Sequence, residues 1–168
     1  MEPERCDECG FDGGSWDDAG AVDEVADLPA RWAVAIADLT AEQLGRRPFD
    51  DVWSISEYTD HVRETTYGMR FLIGLGIDQP GIDVGSPPDQ PCGAQAKDVD
   101  VRAALRGFGS EVEQLVERFR GLSTADWSAW VVIGGDRWDA AWIIRHLLHD
   151  VTHHLGDVAR LRAAMAGT

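Results

Sequence analysis

Four of the five histidines lie between Arg145 and Asp157, in the run His146-Leu147-Leu148-His149-Asp150-Val151-Thr152-His153-His154, and the fifth, His61, stands far upstream. Imidazoles and carboxylates at helical spacing are ligands for a borderline metal ion, so the first question is which of them share a face. At roughly 100° per residue, Ile143, Leu147, Val151, Leu155 and Val158 form an apolar stripe. His154 falls inside that stripe and Asp150 on its shoulder, one turn earlier. His149 and His153 have the same i, i+4 spacing but fall on the far side with Arg145 and Arg160, and His146 lies between. The expected inward pair is therefore Asp150 and His154, with His149 and His153 facing outward.

His61 shares a helical face with Tyr58, Thr65, Met69 and Leu72 and is also expected to point inward. An i, i+4 pair on one helix and a third ligand from a facing helix occupy three corners of a tetrahedron. The fourth is left to water or substrate, which is the catalytic pattern for zinc. Two imidazoles with a carboxylate also suit iron or nickel. A core-facing histidine is most often only a hydrogen-bonded side chain. The inward Asp150 shifts that balance, because a buried carboxylate is costly without a cationic partner.

Cys6-Asp7-Glu8-Cys9-Gly10-Phe11 has the shape of one zinc knuckle. A closed structural site needs four ligands, and no second CxxC pair exists. Cys92 is a candidate third ligand, with an acidic residue or a second chain as the fourth. Free thiols are the competing reading, and no thioredoxin-like βαβ context supports a redox pair. Three cysteines without a secretory leader argue against a disulfide framework.

Residues 1–20, rich in Gly and Asp, read as an irregular N-terminal extension, and residues 21–168 as the folded body. From Val22 the pattern is helical, with Pro29 marking a helix start within it. Thr40-Ala41-Glu42-Gln43 reads as a short capped turn. Ser54-Ile55-Ser56-Glu57 is a capping box that opens a helix running to about Gly74 or Gly76. Residues 76–97 are Gly- and Pro-rich and read as a long loop of the kind that forms lids or partner surfaces. A third helix is expected over about 99–120, ended by Gly121, and a fourth over about Asp139–Ala164. Ser123-Thr124-Ala125-Asp126 reads as another capped turn, and Trp130-Val131-Val132-Ile133 before Gly134-Gly135 as the one β-like run. The tryptophans Trp32, Trp53, Trp127, Trp130, Trp138 and Trp142 recur at helix ends and inner faces and are assigned to core and staple positions, with a minority left to line a pocket. The fold class is an all-α four-helix bundle with a long loop between its second and third helices.

The 168 residues suit one domain with a sizeable core. Thirty acidic residues against 15 basic give a net charge of −15, which opposes phosphate binding and excludes a nucleic-acid partner. No apolar run approaches the roughly 20 residues of a membrane span. A cytoplasmic protein is expected.

Trp53-Ser54-Ile55-Ser56-Glu57-Tyr58 followed by His61-Val62-Arg63 resembles the second-helix signature of the DinB-like (DNA-damage-inducible) superfamily. His149-Asp150-Val151-Thr152-His153-His154-Leu155-Gly156-Asp157 resembles its fourth-helix motif. The resemblance covers about residues 22–165. It implies a four-helix bundle with one divalent metal held by three side chains, commonly three histidines; in the mycothiol-dependent maleylpyruvate isomerase branch a carboxylate replaces the middle one. Carried over, the ligands are His61, Asp150 and His154, with Asp where that branch has Glu.

The resemblance further implies a thiol S-transferase or isomerase. There a metal-bound low-molecular-weight thiol, mycothiol or similar, loses its proton and attacks an electrophilic small molecule. Tyr58, one turn before His61, is a candidate for lining the pocket, whereas Arg63 lies on another face and receives no role. The alternative is a non-catalytic bundle that binds a metal or ligand and serves as an interaction module. A homodimer is left open.

Overall fold

The computed structural model describes residues 3–49, 52–86 and 98–166. Four long helices dominate: α1 (Asp18–Ile36), α3 (Ile55–Asp78), α4 (Val101–Arg120) and α5 (Ala140–Ala166), with a short α2 (Ala41–Gly45) after the first. Helix α1 packs against α4 and α5, and α3 packs against the same two. The order around the bundle is thus α1, α4, α3, α5, and the successive long helices α1 and α3 sit diagonally. This topology makes α3 and α5 neighbours, so His61 on one faces Asp150 and His154 on the other.

Local chemistry explains where the first three helices begin. Asp17 caps α1 by accepting from the Gly20 amide at 2.7 Å. The capping box at α3 forms in full: Ser54 Oγ accepts from the Glu57 amide, and Glu57 Oε2 accepts from the Ser54 amide at 2.9 Å. Glu57 is buried, and Arg47 compensates it through a two-pronged ion pair, Nε to Oε2 at 2.8 Å and Nη2 to Oε1. Thr40 and Gln43 form a second complete box at α2. Between the helices lie the fully buried Leu28, Trp32, Phe108, Leu115, Phe119, Ile144 and Leu147. Trp32 donates its indole N–H to Thr59 Oγ1 at 3.0 Å, so its one polar atom is not stranded.

Three expectations need correction. Helix α1 starts at Asp18, not within the segment at Pro29; that proline sits inside the helix, where the capped first turns upstream already hold the chain helical. The β-like run is one strand of a hairpin, β3 (Trp130–Ile133) with β4 (Asp136–Asp139). Its two-residue turn is Gly134-Gly135 with φ of +60° and +89°, the left-handed pair that a twisted hairpin favours. The start of the expected long loop is pinned to β3, with the Gly81 amide donating to Trp130 O and Val84 to Val132 O. Residues 87–97, including Cys92, fall outside the described part.

The N-terminal segment is ordered rather than irregular. Two-residue strands β1 (Arg5–Cys6) and β2 (Phe11–Asp12) pair antiparallel, and a single 3-10 turn follows at Gly13–Ser15. Gly10 takes φ +72° and donates its amide to Cys6 O at 2.9 Å, closing the Cys-x-x-Cys-Gly turn. Side chains fasten this hairpin to α5. Phe11 is buried and stacks on His149 at 4.8 Å, Arg145 Nη2 donates to Trp16 O at 3.1 Å, and His146 Nδ1 lies 2.9 Å from Glu4 Oε2. Composition alone misses this, because the apolar anchor is one residue, Phe11, and its partner surface is far away in sequence.

Candidate metal centre

The inward face of α5 and the facing turn of α3 bring His61, Asp150 and His154 together, with one ligand atom from each within 4.8 Å of the others. Asp150 stands between the imidazoles: its Oδ2 is 3.8 Å from His61 Nε2 and its Oδ1 is 3.5 Å from His154 Nε2. Bonds of about 2.0–2.1 Å at tetrahedral angles place ligand atoms roughly 3.3–3.5 Å apart, so small side-chain adjustments close the set on an ion. Asp150 Oδ2 is buried without a hydrogen-bond partner. An orphaned carboxylate oxygen aimed between two imidazole nitrogens is what a cation would satisfy, and the residues present fit one.

The surroundings orient these three side chains toward one another. His154 Nδ1 lies 2.7 Å from Asp157 Oδ2, a hydrogen bond that turns Nε2 toward Asp150. Asp157 is itself buried and ion-paired with Arg160. Burial opposes charge on Asp150, but the neighbouring imidazoles of His154 and then His61 outweigh it and hold the carboxyl well below its usual range. Burial also opposes charge on His154; the carboxylates of Asp150 and Asp157 beside it prevail and push it up to about 9. Trp53 packs on the His61 ring at 4.8 Å, and Tyr58 on the His154 ring at 4.9 Å. Tyr58 is 3% exposed, so it forms the back wall of the centre. Arg63 points elsewhere and pairs with Asp60.

His61 is the most open of the three, its side chain 31% exposed. Thr65, one turn on, brings its hydroxyl within 3.4 Å of His61 Nε2 and also lines a cleft of about 380 Å³ with Met69, Leu72, Val84, Ile133 and Trp138. The cleft walls come from α3, the pinned loop and the β3–β4 hairpin. A larger groove of about 680 Å³ between α1 and α4 is lined by no imidazole or thiol.

The expectation that His149 and His153 face outward is corrected. Their side chains are only 15% and 23% exposed, because the N-terminal hairpin covers that side of α5. Cys6 and Cys9 land beside them, and the four ligand atoms lie within 4.8 Å of one another. Cys6 Sγ is 3.7 Å from His153 Nδ1. The Cys9 backbone amide, then His149 and His153, draw the Cys6 thiol down to about 6, while burial pushes Cys9 up. A third group, Glu4 with His146 and His149, shares His149 with this set.

Among the described residues, no helix is long and apolar enough to cross a membrane. No curated protein gives a significant match to the chain. Among solved structures the chain is similar to YfiT from Bacillus subtilis, with a TM-score of 0.78 over 98% of this chain and 94% of that one, at 12% identity. That protein is described as a probable metal-dependent hydrolase with an unusual four-helix bundle topology. At this identity the likeness is one of fold. The family model of the DinB superfamily matches residues 25–158, a span that includes His61, Asp150 and His154, and the chain belongs to the DinB superfamily.

Proposed function

We propose that the chain is a metal-dependent enzyme whose centre is His61, Asp150 and His154, and that it uses a low-molecular-weight thiol of the mycothiol type to attack an electrophilic small molecule. The observation that carries the metal reading is the buried, unpartnered Asp150 Oδ2 between two imidazoles. A divalent ion held there, zinc in the first instance and nickel or iron as competitors, supplies Lewis acidity that makes a thiol more acidic.

The chain's own residues then divide the work. Asp157 orients His154. The Thr65 hydroxyl, beside the open side of His61, is placed to hold the nucleophile or its proton partner. The apolar cleft beyond Thr65 receives the body of the electrophile and keeps water from it. The thiol assignment rests on the likeness of the two helix motifs to the thiol-dependent branch. The same reading has the protein acting in the cytoplasm and away from nucleic acid; the net charge of −15 supports the second of these, since it opposes phosphate binding.

A second reading is hydrolysis, with water in place of the thiol. The exposure of His61 supports it, since the open side of the centre reaches solvent, and the similar structure carries a hydrolase description. Zinc-loaded protein is to be assayed for consumption of a small thiol with an activated alkene or epoxide, and for ester and amide hydrolysis without thiol. The first reading expects metal-dependent thiol consumption that is lost in His61→Ala and His154→Ala. Hydrolysis alone, lost in the same variants, establishes the second. Unchanged metal content in His154→Ala, once the cysteine pair has been removed, contradicts both. Metal-dependent folding with neither activity would instead make the bundle a non-catalytic binding module.

A further inference from the structure

We infer that Cys6, Cys9, His149 and His153 form a second, closed zinc site that clamps the N-terminal hairpin onto α5, independent of the centre on the inner face. All four offer one ligand atom within 4.8 Å of the rest, and Cys6 Sγ to His153 Nδ1 measures 3.7 Å. Zinc–sulfur and zinc–nitrogen bonds of about 2.3 and 2.0–2.1 Å at tetrahedral angles require separations of roughly 3.3–3.8 Å, so the pocket is already close to size. Two thiolates and two neutral imidazoles cancel the charge of Zn2+. Such a neutral complex tolerates the half-buried position between hairpin and helix. Binding releases the two thiol protons to solvent.

Three observations set this cluster apart from a chance grouping. The Cys6-x-x-Cys9-Gly10 turn is held by the Gly10-to-Cys6 hydrogen bond with Gly10 at φ +72°, which directs both thiols to one side. His149 is fixed by stacking on Phe11, yet both of its ring nitrogens are buried without a hydrogen-bond partner. Its Nδ1 lies 3.1 Å from Glu4 Oε2 but out of line for a bond, so a small ring rotation would pair Nδ1–H with Glu4 and leave Nε2 for the metal.

His153 repeats that arrangement from the other end of its ring. Its Nδ1 faces Cys6, and its Nε2 lies 3.8 Å from Glu8 and 4.0 Å from Asp157. Metal-bound histidines characteristically give their second N–H to a carboxylate, and both imidazoles have one beside them. The competing group of Glu4, His146 and His149 is accounted for as the outer support of this site, since Glu4 already takes a hydrogen bond from His146. With four protein ligands no position remains for substrate, so the site is structural.

The test is cobalt substitution of the full chain, prepared under reducing conditions and loaded with Co2+. The expected wild-type spectrum has intense thiolate-to-cobalt charge transfer in the near ultraviolet and strong tetrahedral visible bands. Those features should vanish in Cys6→Ser and Cys9→Ser, weaken in His149→Ala, and persist in His61→Ala. Zinc stoichiometry should fall from two per chain to one in Cys9→Ser and in His61→Ala alike, which separates failure of this site from failure of the inner centre. Absence of thiolate charge transfer in wild type overturns the inference whether or not any variant folds. A Cys6–Cys9 disulfide that persists under reducing conditions, or zinc content unchanged in Cys9→Ser, overturns it equally.

Discussion

Helix α5 presents two candidate ligand sets on neighbouring faces, and they differ in what they leave over. His61, Asp150 and His154 offer two nitrogens and one oxygen, with an exposed edge at His61 and a cleft beyond Thr65. Cys6, Cys9, His149 and His153 offer two sulfurs and two nitrogens, with the hairpin itself as the lid. Three ligands with an approach path suit chemistry, and four without one suit structure. The His153 and His154 rings are only 5.6 Å apart, so consecutive residues serve different faces and a small register error would exchange their roles.

The largest effect expected is at the open set. His154→Ala removes a proposed ligand and leaves Asp150 and Asp157 without their shared partner; under the proposed function, activity should drop on the order of 10³-fold or more, as befits losing several kcal/mol of Lewis-acid stabilisation. The thermal midpoint of the zinc-loaded protein should move far less, which paired rate and melting measurements check. The closed set should show the reverse. Cys6→Ser with Cys9→Ser should lower the midpoint in zinc by on the order of 10 °C, erase the effect of chelator on that midpoint, and leave turnover within a fewfold.

Smaller substitutions sharpen the contrast. Asp157 Oδ2 is 2.7 Å from His154 Nδ1 and 4.0 Å from His153 Nε2, so it supports both sets unequally. Asp157→Asn should weaken zinc about 10–100-fold at the inner centre and less at the outer one, as competition titrations of the two single-site proteins would show. Glu4→Gln should have the mildest effect: under about tenfold weaker zinc at the cysteine site, with the inner centre untouched. Equal losses at both centres in that variant would dissolve the distinction.

What could be read from the sequence follows from what each kind of pattern encodes. The capping boxes at Thr40 and Ser54 and the apolar stripe of α5 are local, so helix starts and the inward direction of Asp150 and His154 were legible. The hairpin at residues 5–12 was not, since two-residue strands carry no period and their anchor, Phe11, packs on a helix about 140 residues away. The same distance hid the partners of Cys6 and Cys9. A helical wheel tells which residues leave the apolar stripe, not what covers them, so His149 and His153 read as solvent-facing. Pro29 is ambiguous for a related reason: proline is a start signal only if nothing upstream is helical, and the helix capped by Asp17 already runs from Asp18.

Helix α5 is proposed to carry two ion sites of different chemistry. Anomalous diffraction at the zinc edge from crystals of the zinc-loaded full chain tests this most directly. Two peaks per chain are predicted, one among His61, Asp150 and His154, the other among Cys6, Cys9, His149 and His153. A single peak, or one centred on Glu4, His146 and His149, would contradict it.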